Sequence, residues 1–260
     1  MLWYVMDTVQ VFQKRKKINM SHYTYLMVNL GSFIVPFLFS FHPKLNFKKH
    51  FPAFFPANFI IGAIFISWDI YFTQQGIWGF NSSYTLGINW FGLPIEEWMF
   101  FFCIPFACAF TVHCLRIFFP KKIHPQWVSI ILHSVVALLL LVSFSHTQQA
   151  YTFWACLTTA LFILYLYHIA KASWLSAMIL FYPVLLIPFF IVNGILTGTG
   201  LDAPVVWYNP EENLRIRIGT IPIEDMAYGL ELILGNLFLL EKFKTKQSHE
   251  VIHSGTISSH

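Results

Sequence analysis

Charge is what this chain has least of: 11% of its 260 residues are Asp, Glu, Lys or Arg, against 57% hydrophobic and 19% aromatic. A soluble domain of this length needs far more polar surface, so the composition excludes one and makes lipid the solvent. Cysteine is scarce too. Cys103, Cys108, Cys114 and Cys156 all lie inside apolar stretches, where a thiol behaves as a small hydrophobe, which argues against a disulfide framework or a thiolate metal centre. The net charge of +4 resides mostly in loop lysines without interleaved aromatics, so a nucleic-acid partner is excluded. There is no H-E-x-x-H and no histidine box. His113, His133 and His168 stand singly on three apolar runs and read as hydrogen-bonded helix residues, while His249 and His253 sit in a polar tail. Gly198, Gly200 and Ala203 spell G-x-G-x-x-A but follow an apolar run instead of a strand, so they read as a turn and imply no flavin or nucleotide. The last apolar run has no lysine at its middle, which excludes a retinal protein.

What is present is a set of seven apolar runs, roughly Tyr23 to Phe41, Pro52 to Tyr71, Pro94 to Phe119, Gln126 to Phe144, Ala150 to Ile169, Trp174 to Thr197 and Pro222 to Leu240. About 20 apolar residues cross a bilayer as a helix, and inside lipid only helices or closed barrels satisfy the backbone. The expected fold class is therefore an all-α integral membrane protein.

The chain also repeats itself. A shift of 128 positions lays Asn81, Leu86, Ile88, Pro94, Ile95 and Glu96 on Asn209, Leu214, Ile216, Pro222, Ile223 and Glu224, while Phe80, Leu93 and Glu97 fall on Tyr208, Ile221 and Asp225. Two parallel three-helix repeats joined by one linker helix account for this pattern, with both acidic motifs on one membrane face. The expected boundaries are a leader at 1–19, a first repeat at 20–125, a linker helix at 126–145, a second repeat at 146–243 and a disordered tail at 244–260. Ten basic residues fall in the loops at 44–49, 116–122 and 171 and in the tail at 242–246, whereas the face carrying the acids has Arg215 and Arg217. Lys14, Arg15, Lys16 and Lys17 of the leader would add to the acidic face without reversing the balance. Basic loops favour the cytoplasm, so the C-terminus is expected to be cytoplasmic, in the inner membrane.

The acids form the chemical signal. One carboxylate in the first turn of a proline-led helix is a common stabilising arrangement, since it meets unpaired N–H groups and the positive end of the dipole. Capping needs only one acid, yet two adjacent ones stand in both halves: Glu96 with Glu97, and Glu224 with Asp225. Ionisable groups at a membrane edge are costly unless paired or used. The stretch from Phe72 to Leu93 carries no charge, and its Phe72, Trp78, Phe80, Tyr84, Trp90 and Phe91 suit a lid that folds into the interface. Aromatic faces stabilise a desolvated cation. Carboxylic acids beside such walls suggest acid-catalysed cationic chemistry on an apolar substrate.

The run WDIYFTQQGIWGFNSSYTLGI with LPIEE, and the later RIGTIPIEDMAYG, resemble the small integral-membrane lycopene cyclases of the carotenoid pathway, found as two subunits in some bacteria and fused in others and in fungi. The resemblance runs from Met20 to about Lys242. It implies a cofactor-independent cyclisation of the ψ ends of lycopene, or of a related acyclic carotenoid in the bilayer, to β rings, and an association with other carotenoid enzymes. Carried onto this chain, the catalytic residues are Glu96, Glu97, Glu224 and Asp225. Trp68, Asp69, Phe72, Trp78, Phe80, Trp90, Trp98, Arg217 and Tyr228 are candidates for binding substrate or stabilising a cation. Two positions depart from a simple duplication: Thr197 stands where the shift would place a partner of Asp69, and Glu231 lies outside the motif.

Cyclisation adds a proton to a terminal double bond, closes a ring on the tertiary cation and loses a proton elsewhere, so it needs an acid, a base and a cation-tolerant cavity but no electron carrier. Adjacent carboxylates supply one protonated and one charged group, because like charges raise one pKa of a pair. Two rivals come from other classes. A three-one-three membrane transporter would place its proton-carrying acids deep along a hydrated path, and a non-catalytic pigment scaffold would have no turnover.

Overall fold

The computed structural model describes the backbone of residues 21–120 and 123–257 and side chains through residue 245. The leader at 1–19 and Lys121 and Lys122 lie outside the described residues.

Seven α-helices appear among them: α1 Thr24–Phe39, α2 Phe51–Gln74, α3 Ile95–Phe118, α4 Pro125–Ser145, α5 Ala150–Leu164, α6 Leu175–Leu196 and α7 Glu224–Ile257. Five spans, α2 to α6 with the turns attached to them, are long and apolar enough to cross a membrane, and α1 is a shorter apolar helix. The chain is an integral membrane protein on that ground. A π-turn, Tyr165–Ile169, extends α5. The last helix continues past Leu240 to Ile257. The segment beyond Leu240 is rich in Glu, Lys and Gln, residues that lose little rotamer freedom in a helix, and Arg116 pairs with Glu241 at 2.5 Å to hold its first turn against α3.

Packing follows from small and polar residues, as expected where lipid removes the hydrophobic drive between helices. Gly235 of α7 lets α2 approach closely, since a Cβ there would stand 3.2 Å from Ile61. Buried Asn58 of α2 donates to the Phe101 carbonyl of α3 and to Asn236 of α7, both at 3.0 Å, so three helices share one amide network. Phe47, Phe54 and Phe106 pack at the end of the bundle remote from the acids. Helix α6 is different. It carries Pro183 and Pro188, each without an N–H to donate, and it lies only thinly against α1, α3 and α4.

Short strands organise the loops: β1 Trp78–Phe80, β2 Asn89–Trp90, β3 Leu93–Pro94, β4 Val206–Tyr208, β5 Arg217–Ile218 and β6 Ile221–Pro222. Strands β1 and β4 pair antiparallel with Trp78 opposite Tyr208 and Phe80 opposite Val206, so the α2–α3 and α6–α7 loops meet on one face. The contact is reciprocal beyond the strands as well, because the Asn81 N–H donates to Val205 and the Asn209 N–H to Ile77, both at 2.8 Å. Each loop then makes a 3₁₀ turn begun by an asparagine and a hairpin, β2–β3 in one and β5–β6 in the other. Gly198 and Gly200, both at positive φ, lie in the turn after α6, with Gly198 against Pro204.

Candidate active site

The two acids of each motif point in different directions. Glu96 is fully buried and turns back toward its own loop, where its carboxylate accepts the Leu86 N–H at 2.6 Å. Glu224 does the same with the Leu214 N–H at 2.7 Å and adds the Thr152 hydroxyl at 2.6 Å. Residues 86 and 214 each lie ten positions before their glutamate, so both acids brace the hairpin that precedes the helix. This explains why an acid recurs at this position without assigning it to chemistry.

Glu97 and Asp225, one residue further round the helix, face inward. Together with Asp69 they line one end of an elongated cavity of about 230 Å³. Its walls are α1, α3, α6 and α7, and the β1–β4 pair closes the acidic end with Trp78, Phe80, Val206 and Tyr208. Along α3 the lining extends from Glu97 to Thr111, a span of about 21 Å at about 1.5 Å per residue. Beyond the acids the lining is chiefly aromatic and aliphatic, suited to a long apolar chain.

Every inward acid has aromatic donors. Tyr25 of α1 donates a short hydrogen bond to Oε2 of Glu97, and the indole N–H of Trp78 donates one to Oδ1 of Asp69. Asp225 accepts from two phenols, Tyr151 of α5 at 2.5 Å on Oδ1 and Tyr208 at 3.0 Å on Oδ2. Burial, and then the Asp225 carboxylate beside it, pushes the Tyr208 phenol well above its ordinary pKa, so it stays a donor. Tyr228 lies at the centre of the aromatic wall, 5.3 Å from Trp68 and 5.9 Å from Trp78 between ring centroids, and its buried hydroxyl has no partner among the described residues.

The structure thus gathers Asp69, Glu97, Trp78, Phe80, Asp225 and Tyr228 in one place. Trp68 and Phe72 stand behind Trp78 and Tyr228 as packing. Three other expected residues lie elsewhere. Trp90 is 54% exposed on the β2–β3 hairpin, and Trp98 packs against it and lines a separate groove with Leu30 and Phe33. Arg217 extends from the β5–β6 hairpin, donates to the Thr220 carbonyl at 2.6 Å and lies 5.8 Å from the Tyr208 ring. The lid is therefore split: Trp78 and Phe80 tuck inward, while Trp90 and Phe91 point away. Tyr25, Tyr151 and Tyr208 were missed by the sequence reading. The shift of 128 gives a signal for Tyr208, as the partner of Phe80, but none for Tyr25 and Tyr151, whose separation is 126. His133 and His168, apart in sequence, meet at 3.1 Å.

This arrangement can protonate an alkene and hold the resulting cation between carboxylates and ring faces. Comparison with known families shows the chain matching the sequence model of the lycopene cyclases over residues 22–115 and 148–243. No curated protein and no solved structure matches the chain. The matched segments contain both acidic motifs and the inward acids of both halves, cover most of the chain, and leave α4 between them unmatched; the protein belongs to the lycopene cyclase family, enzymes that cyclise carotenoids.

Proposed function

We propose that the chain converts the ψ ends of lycopene to β rings, one end after the other, at a single composite centre formed by both halves. The observation that carries this reading is that Glu97 of one motif and Asp225 of the other line the same cavity, with Asp69 beside them. A proton passes from a cavity carboxyl to the terminal double bond, the tertiary cation closes on the neighbouring double bond, and a carboxylate removes a ring proton. The proton gained equals the proton lost, so the balance calls for no oxidant or reductant. Tyr228, Trp78 and Phe80 present ring faces to the cation, each worth about 0.5–2 kcal/mol when desolvated. Glu96 and Glu224 act by holding the hairpins that position their neighbours.

The proposed architecture is two parallel repeats, α1–α3 and α5–α7, with α4 as linker. The recurrence of each loop element after 128 residues supports it. The acidic end faces away from the cytoplasm and the basic loops face it, in keeping with the bias of lysines toward Lys44, Lys48, Lys49, Lys242 and Lys244.

The test is expression in a host that accumulates lycopene, followed by pigment chromatography. β-Carotene, with a one-ring intermediate at early times, is the expected result. Unchanged lycopene in the presence of correctly inserted protein would refute the proposal.

A further inference from the structure

Asp225 and Glu97 occupy corresponding positions, yet their carboxylates are solvated differently. Asp225 accepts one phenolic O–H on each oxygen, from Tyr151 and Tyr208. Glu97 accepts one, from Tyr25 on Oε2, and its Oε1 has no hydrogen bond among the described residues. Asp69 has Trp78 on Oδ1, with Thr73 at 3.5 Å, and its buried Oδ2 is bare. Asp69 and Glu97 line the same end of the cavity. The cause of the difference is two substitutions between the halves. The counterpart of Tyr208 is Phe80, which has no hydroxyl to offer Glu97, and the counterpart of Asp69 is Thr197, which brings no second charge to Asp225.

An anion buried in an apolar cavity is tolerable when its lone pairs are met by donors, and costly when an oxygen is left bare beside another carboxylate. Two carboxylates at one end of such a cavity do not both ionise. We infer, on the basis of the composite centre proposed above, that Asp69 and Glu97 hold one proton between them and form the acid that starts cyclisation, while Asp225 is the anion that faces the cation and removes the ring proton.

The step balances. The shared proton forms a new C–H bond at the terminal double bond and leaves the Asp69–Glu97 pair fully ionised. The π electrons of the neighbouring double bond close the ring, and the C–H electrons of a ring carbon become the new double bond as Asp225 takes that proton. Return of the proton from Asp225 to the pair restores the starting state, and Tyr208, which donates to Asp225 and lines the cavity with Glu97, lies along that route. Since the carbon that loses its proton fixes the ring type, Asp225 and the two phenols that orient it determine whether the ring is β, ε or γ.

The test has two arms on the purified full chain, with folding checked by size-exclusion chromatography. Infrared spectroscopy of the protein without substrate reads the carbonyl stretch of buried protonated carboxyls. The band should survive in Asp225→Asn and lose intensity in the double variant Asp69→Asn/Glu97→Gln. Loss in Asp225→Asn with retention in the double variant would overturn the assignment, as would absence of the band from the unaltered protein. The second arm reads products. Residual turnover by Asp225→Asn or Tyr208→Phe should shift the double-bond position away from β, whereas Glu97→Gln should slow turnover and leave ring type unchanged. The reverse pattern would overturn the assignment, and an unaltered protein that leaves lycopene uncyclised would defeat the proposed function itself while the infrared arm still decides where the proton lies.

Discussion

The two halves of this molecule are alike in backbone and unlike in charge. Both carry an asparagine-started 3₁₀ turn, a two-strand hairpin and a buried glutamate bonded to a backbone N–H ten residues back. The first half adds Asp69 and offers Phe80, while the second adds Tyr208 and offers Thr197. Helix packing diverges as well, because α2 lies closely along α7, whereas α6, its counterpart, stands off from α3 and leaves the cavity between them. On the proposed reading, duplication supplied the frame and the departures from it supplied the site.

The sharpest way to break this comparison is to remove one inward acid at a time. Glu97→Gln and Asp225→Asn should each lower the rate of the first ring as well as the second by about 10²-fold or more, the scale of lost general acid–base catalysis. Chromatography of pigments against time measures this. Full conversion to a one-ring product by either variant would mean that each half works alone.

A smaller effect is expected from exchanging the aromatic difference. Tyr208→Phe removes one donor to a buried carboxylate, a loss of about 1.5–3 kcal/mol, or about 10- to 100-fold in rate if it is felt in the transition state. Phe80→Tyr in the same background should not restore it, because the new hydroxyl would serve Glu97. Rescue would show that the halves are interchangeable.

The hairpin braces come next. Glu96→Gln and Glu224→Gln replace a carboxylate acceptor with an amide that can still accept from Leu86 or Leu214, and each should cost about 1–3 kcal/mol of stability with modest change in ring type. Thermal unfolding in detergent, read beside product analysis, separates this from a catalytic defect. Loss of activity as deep as that of Glu97→Gln, at unchanged stability, would place these acids in the chemistry.

Gly79→Ala addresses the junction between the halves. The Trp207 indole lies over Gly79, and an added Cβ would fall well inside contact distance of its ring. The tryptophan must swing away, loosening the β1–β4 pair, with an expected cost of about 1–3 kcal/mol. The smallest effect belongs to Glu231→Gln. Glu231 accepts from Thr158 at 2.7 Å and Thr159 at 3.2 Å, outside the cavity lining, so activity should stay within about threefold.

Much of this was legible because lipid makes the rules strict. Apolar length located the helices, since a membrane leaves the backbone no other partner, and all seven runs correspond to helices among the described residues. The internal shift located the acidic motifs and their asymmetry at Asp69 and Thr197. What it could not divide was the pair itself. Glu96 and Glu97 are adjacent in sequence, but successive residues on a helix point about 100° apart, and of the two Glu97 lines the cavity. Likewise Trp78 and Trp90 share one uncharged loop, and a hairpin sends one inward and the other out.

By itself the sequence determined the medium, the helices, the duplicated loops and the family, because each depends on composition, period or motif, which are local or linear properties. Tertiary structure decided the partners of each carboxylate. Tyr25 meets Glu97 across 72 residues and Tyr151 meets Asp225 across 74. Hydrogen bonds of such range are set by how α1 packs on α3 and α5 on α7, and solvation of a buried acid is the sum of such contacts. Whether a carboxyl in this cavity holds its proton or gives it up is therefore a property of helix packing, not of the motif in which it is written.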